Sequence, residues 1–111
     1  MAKWKKVFFP PSGERHSPID ALKGIPRSND KALIKRRLDL ISELEISEWP
    51  YWVKMVDNHY QVTAGDYRVY FGLIGRIMVV CHICRKVSQK ALKSDLDRAR
   101  INFNDYTESV K

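Results

Sequence analysis

Arg68, His82 and Lys86 are the residues whose type and placement can do chemistry, because two short alternating segments bring them towards one surface. The first segment is Gly65-Asp66-Tyr67-Arg68-Val69-Tyr70-Phe71, and the second is Ile77-Met78-Val79-Val80-Cys81-His82-Ile83-Cys84-Arg85-Lys86. Alternation along a strand puts Tyr67, Val69 and Phe71 on one face and Arg68 and Tyr70 on the other. In the second segment it sets Ile77, Val79, Cys81 and Ile83 against Met78, Val80, His82 and Cys84. The pair reads as a β-hairpin with a cationic, partly aromatic exposed face. Such a face suits a phosphate backbone, since a guanidinium fork meets two oxygens and an imidazole moves protons near neutral pH.

The charge balance points the same way. Lys and Arg number 20 against 13 Asp and Glu, for a net charge of +7 and a pI near 9.6. That excess favours a polyanionic partner, with counterion release from nucleic acid supplying affinity; a basic soluble protein without such a partner has the same balance. Hydrophobic residues at 44% and charged residues at 30% exclude global disorder. A length of 111 residues fits one domain with a modest core.

Cys81 and Cys84 are the only cysteines. On a regular strand they face opposite ways, so a mutual disulfide would strain it, and no second pair completes a zinc site. Both read as reduced, space-filling residues, which fits a reducing cytosol, and no metal or other cofactor is expected. Lys3, Lys5 and Lys6 precede only Val7-Phe8-Phe9 before Pro10-Pro11. Neither a signal peptide nor a membrane span is expected there, and the expected location is the cytoplasm.

The elements that must position these residues follow from turn residues and periodicity. Lys3 to Phe9 reads as a strand stopped by Pro10-Pro11-Ser12-Gly13. Ser17-Pro18 opens a short helix with Ile19, Leu22 and Ile25 on its apolar side, ended by Gly24 and Pro26. Ser28 or Asn29 caps a longer helix to about Ile46, whose stripe is Leu33, Ile34, Leu38, Leu40, Ile41 and Leu44. Lys35, Arg36 and Arg37 lie mostly outside that stripe, as a solvated face or an RNA contact. After Trp49-Pro50-Tyr51-Trp52 comes an antiparallel meander over Val53 to Val56, Tyr60 to Ala64, Tyr67 to Phe71 and Arg76 to Lys86. Its turns fall at Asp57-Asn58 and Gly72 to Gly75. Ser94 caps a final helix with Asp97 at the capping-box position, and Leu96, Ala99, Phe103, Tyr106 and Val110 form the stripe that docks on the sheet. His16 and His59 sit in polar, turn-like contexts and read as surface.

This order of parts resembles the RelE/ParE superfamily of toxin–antitoxin toxins, and most closely its phage-derived, HigB-like branch, over residues 1–111. Ser12-Gly13 to Pro26 is similar to that branch's SGxSPxxxFLxxLP opening, Val53-Lys54 to its VKKL segment and Gly65 to Phe71 to its GDYRVxF strand. His82 to Lys90 is similar to H-x-F-x-K-K-x-x-K, and Asp95 to Arg100 with Tyr106 to the EIxxAxxRxxDY helix. The resemblance implies an α+β, RelE-like fold: an N-terminal strand and two helices packed on a small antiparallel sheet with a C-terminal helix. It also implies a metal-independent endoribonuclease that cuts mRNA, commonly on the ribosome, and is held in check by a cognate antitoxin, of helix-turn-helix type. Attack by the ribose 2′-oxygen on the adjacent phosphate needs a base, cations for the phosphorane and a proton for the leaving oxygen.

Carried over residue by residue, Arg68 matches the sheet arginine and Lys86 and Lys90 the basic loop, while His82 offers proton transfer. Lys54, Arg85 and Tyr106 are the expected substrate contacts, Tyr106 by stacking on a base. Each has a structural alternative: Arg68 paired with Asp66, His82 as a cross-strand histidine, Lys54, Lys86 and Lys90 as solvated lysines, Tyr106 as stripe packing. One departure stands out, because Gln61 and Thr63 occupy positions where relatives carry charged residues. That leaves open a slow nuclease or a degenerate RNA- or ribosome-binding member; a non-catalytic inhibitor of DNA gyrase of the ParE type is a separate alternative within the same fold.

Overall fold

Alternation and turn residues predict most of the strands seen in the computed structural model, which describes residues 3–111. The elements are β1 (Lys5–Phe8), α1 (Pro18–Lys23), α2 (Ser28–Ser42), a single 3-10 turn (Ile46–Glu48), β2 (Val53–Val56), β3 (His59–Ala64), β4 (Tyr67–Ile74), β5 (Ile77–Arg85) and α3 (Lys93–Ser109). They build an α+β fold on one five-stranded sheet of order β1-β5-β4-β3-β2. The meander from β2 to β5 is antiparallel as expected. The sheet as a whole is mixed rather than antiparallel, because β1 adds to β5 in parallel, with Lys5 opposite Ile77 and Phe8 opposite Val80. A parallel neighbour requires a long crossover, and here everything between β1 and β5 serves as one.

Several local expectations are corrected. Helix α2 ends at Ser42, and Glu45 and Glu48 then form a capping box around the 3-10 turn. Ser17 does cap α1, accepting from the Asp20 N–H. The residues before α2 and α3 are Arg27 and Leu92, neither of which makes a side-chain cap, so Ser28 and Ser94 lie inside the first turns. Gly72 is a strand residue, and the β4–β5 hairpin turns at Gly75, whose φ of 58° is left-handed. Gly72 is bare for a packing reason: a Cβ there would overlap the Phe103 ring of α3.

The helices cover both faces of the sheet. On one face Leu22 of α1 and Ile34, Leu38 and Ile41 of α2 pack on Val62, Val69, Phe71, Met78 and Val80. Trp49 seals this core, its Nε1–H donating to the Ile41 carbonyl at 2.9 Å and its ring lying edge-on to Phe71 at 5.5 Å. Each such buried side chain contributes about 1.5–3 kcal/mol relative to exposure. On the other face Ala99, Phe103 and Tyr106 of α3 cover Tyr70, Val79 and Cys81.

A β-bulge shapes this second face. Tyr70 pairs with His82 and Phe71 with Val80, which leaves Cys81 without a partner. The bulge advances the alternation by one residue. Ile77, Val79 and Cys81 face α3, Met78 and Val80 face α1 and α2, and beyond the bulge Ile83 joins the latter while Cys84 joins the former. The expected grouping of His82 with Met78 is therefore overturned, as is the opposite orientation of Cys81 and Cys84, which pack against the same cluster as free thiols. Asn102 of α3 donates to the Cys81 carbonyl at 2.8 Å, satisfying backbone at the bulge. Among the described residues no helix is long and apolar enough to cross a membrane.

Candidate nucleic-acid interface

Arg68 and Tyr70 do share a face, but that face is covered rather than exposed. Arg68 is 5% exposed and Tyr70 is fully buried, because α3 and the connection from Lys86 to Leu92 lie over them. Arg68 is held from above: its Nη2 donates to the carbonyls of Ser88 at 2.9 Å and Gln89 at 2.7 Å. Charge-assisted bonds of this kind replace the water a buried guanidinium loses. The Asp66 alternative is not realised; the Asp66 carbonyl instead accepts from the Lys86 backbone N–H. Arg68 thus anchors the connection between β5 and α3.

It also lines a cleft of about 450 Å³ together with Lys54, Met55, Val56, Gln61, Gln89, Lys90, Ala91 and Leu96. Lys54 comes from β2, Arg68 from β4 and Lys90 from the connection, so the fold gathers cations far apart in sequence. Gln61 is buried within this lining and brings no charge to it. A neighbouring cleft of about 390 Å³ shares Lys54 and adds Arg37, Tyr51, Trp52, Thr63 and Gly65. There the Arg37 guanidinium lies 4.6 Å above the Trp52 ring and donates to the Thr63 carbonyl, while Tyr51 stands 96% exposed. In sequence Arg37 belongs to the basic triplet Lys35-Arg36-Arg37, and the aromatic run from Trp49 to Trp52 is the signal that points to its partner.

The remaining candidates lie outside the larger cleft. His82 places Nε2 2.9 Å from Asp95 Oδ1 and stacks on Tyr70 at 5.8 Å, so it is a partly buried, acid-paired histidine. The Cys84 thiol is pushed up to about 12 by burial, then by the charge of Asp95 and a hydrogen bond to it. His82, Cys84 and Asp95 offer donor atoms that all lie within 4.8 Å of one another. Lys86 is half-buried, and Arg85 lines a separate small pocket with Arg27, Asp30, Asp66 and Tyr67. Tyr106 is buried against Phe9, ring edge to ring face at 5.4 Å, so packing is its role here and no base can stack on it in this conformation.

His59 is a correction of another kind. It is fully buried beneath α3, with Nδ1 3.2 Å from Asn58 Oδ1. Burial lowers its pKa, with Arg100 adding to that and Asp57 opposing it. Its Nε2 and the Tyr70 hydroxyl are buried polar atoms without a hydrogen-bond partner among the described residues. Burial also raises the Tyr70 pKa.

Compared with known proteins, the chain matches no family model, and no curated protein matches it in sequence.

Proposed function

We propose that this protein is an RNA-directed toxin of the RelE/ParE kind, an endoribonuclease that cuts mRNA on the ribosome through attack by the ribose 2′-oxygen. The observation that carries the reading is the convergence of Lys54, Arg68 and Lys90 on one cleft. Pockets of about 300–1,000 Å³ take small-molecule-sized groups, so a single nucleotide unit fits this one. Lys54 and Lys90 supply point charges to the phosphate. Arg68 spends Nη2 on the connection, which leaves Nε and Nη1 for a phosphate oxygen. Tyr51 and Trp52, in the adjoining cleft, give flanking bases a stacking surface worth about 1–3 kcal/mol per base.

Lys54 and Lys90 stabilise the phosphorane as ammonium cations, and Lys90 gives a proton to the leaving oxygen while the 2′-proton passes to solvent water. Gln61 adds no charge, which makes the reaction slower than a fully cationic site would allow. A helix-turn-helix antitoxin with acidic and apolar residues would cover the cations together with exposed Met55, Val87 and Leu92. A second reading, a non-catalytic RNA or ribosome binder, draws support from Gln61 and from the commitment of Arg68 to backbone carbonyls.

The test is induced expression in a bacterial host, with mRNA 5′ ends mapped shortly after induction for the wild type and a Lys54→Ala/Lys90→Ala double variant. Both lysines are exposed, so the substitutions change stability by no more than about 0.5 kcal/mol each. New 5′ ends in translated regions that vanish in the variant are the expected result. Growth arrest with intact mRNA would shift the target to gyrase, and RNA retention without cleavage would leave the binder. Arg68→Ala is a poorer probe because it also frees the connection it anchors.

A further inference from the structure

We propose that His82, Cys84 and Asp95 form a zinc(II) site that staples the start of α3 to β5. The inference is independent of the RNA reading, because none of these residues lines the larger cleft. The donor set is one imidazole nitrogen, one thiol sulfur and one carboxylate oxygen, all within 4.8 Å of one another. Zinc takes this N, S and O mixture in tetrahedral geometry, whereas calcium and magnesium want oxygen alone. Bonds of about 2.0–2.3 Å put tetrahedral ligands roughly 3.4 Å apart, so the donors close on the metal by small side-chain rotations.

Geometry on the chain favours the arrangement. His82 and Cys84 are two residues apart on the same side of β5 beyond the bulge, and Asp95 reaches them from the first turn of α3. The Asp95 carboxylate lies 2.9 Å from His82 Nε2 and within 4.8 Å of the Cys84 sulfur. Three protein ligands leave one tetrahedral position for water. Beside the site lies the Tyr70 hydroxyl, fully buried, stacked by its ring on His82 and without a partner among the described residues. A zinc-bound water gives such a hydroxyl the hydrogen bond it lacks.

Charge is also balanced. The thiol releases its proton to solvent as sulfur bonds the metal, so Zn²⁺, thiolate and carboxylate sum to zero. Binding takes the site from one negative charge to neutral, so the neighbouring Arg68 faces no net positive charge there. The bound ion would close the connection between Cys84 and Asp95 at both ends and hold Ser88, Gln89 and Lys90 above Arg68.

The experiment uses the full chain, freed of metal and titrated with zinc in competition with a chromophoric chelator, alongside Cys84→Ser, Asp95→Asn and Cys81→Ala. One zinc per chain is expected for the wild type and Cys81→Ala. Cys84→Ser and Asp95→Asn should each lose more than the roughly 10–100-fold that removing an outer-shell partner costs. Cobalt(II) substitution gives a second readout, whose wild-type arm does not depend on how the variants fold. A thiolate-to-cobalt charge-transfer band should appear in the wild type, persist in Cys81→Ala and vanish in Cys84→Ser. Absence of that band in the wild type, or zinc binding as tight in Cys84→Ser as in the wild type, overturns the site. Zinc binding that leaves amide exchange in residues 86–96 unchanged overturns the staple.

Discussion

The two faces of the sheet are built to different rules. Beneath α1 and α2 the core is made mainly by Ile, Leu, Val, Met and Phe side chains, and the indole N–H groups of Trp4 and Trp49 each reach a backbone carbonyl. Beneath α3 the sheet presents His59, Gln61, Arg68, Tyr70, His82 and Cys84, and two buried polar atoms have no partner among the described residues. Burying apolar surface yields folding free energy, whereas burying polar groups consumes it unless each is satisfied. The first face therefore supplies most of the stability. The second spends part of it on holding titratable groups in a low-dielectric layer, which is the setting in which side chains acquire chemistry.

That contrast can be broken most directly at Phe71, whose side chain lies on the apolar face. Phe71→Ala should cost about 3–5 kcal/mol in urea unfolding, a large share of the 5–15 kcal/mol typical of small domains, about which the whole fold balances. A cost below about 1 kcal/mol would mean that the apolar face is not the main source of stability. A smaller effect is expected at the next residue. Gly72→Ala forces a methyl into the Phe103 ring and should cost about 1–3 kcal/mol. Faster amide exchange should follow across residues 93–109 while α2 keeps its protection. Uniform loosening of both helices would show that the faces are not separable.

The smallest effect sharpens the comparison by pH. His59 is neutral in the folded chain because burial lowers its pKa, while the unfolded chain titrates near about 6.5. Below that pH the unfolded chain binds a proton that the folded chain does not, so stability falls as pH drops from about 7 towards the native pKa. His59→Leu should flatten this part of the profile when urea midpoints are compared between about pH 7 and 5.5. An unchanged slope would mean that His59 titrates alike in both states.

How much of this was legible in the sequence depended on range. Local signals served well: alternation placed Tyr67, Val69 and Phe71 apart from Arg68 and Tyr70, and Ser17-Pro18 marked a true helix start. Signals that depend on distant partners failed. Nothing near Lys5 announces a parallel pairing with Ile77, and nothing in Val80-Cys81-His82 announces a bulge, which answers to Tyr70 and Phe71 on the facing strand. His59 looked like a turn residue because its burial comes from α3, which lies far along the chain. Of the candidate site, Lys54, Arg68 and Lys90 were found by motif, yet their common cleft is a property of the sheet order. His82 and Cys84 were read within a strand alone, and their relation to Asp95 needed the docked helix.

The parallel pairing of β1 with β5 also bears on synthesis. Residues of β1, α1 and α2 emerge from the ribosome first, yet the sheet edge that receives β1 does not exist until Ile77 to Val80 have been made. Closing so long a loop carries an entropic cost that only the finished sheet offsets. A nascent chain halted before β5 therefore has no half-domain to settle into, and the protein acquires its shape, and with it the cleft, only when translation has passed the last strand.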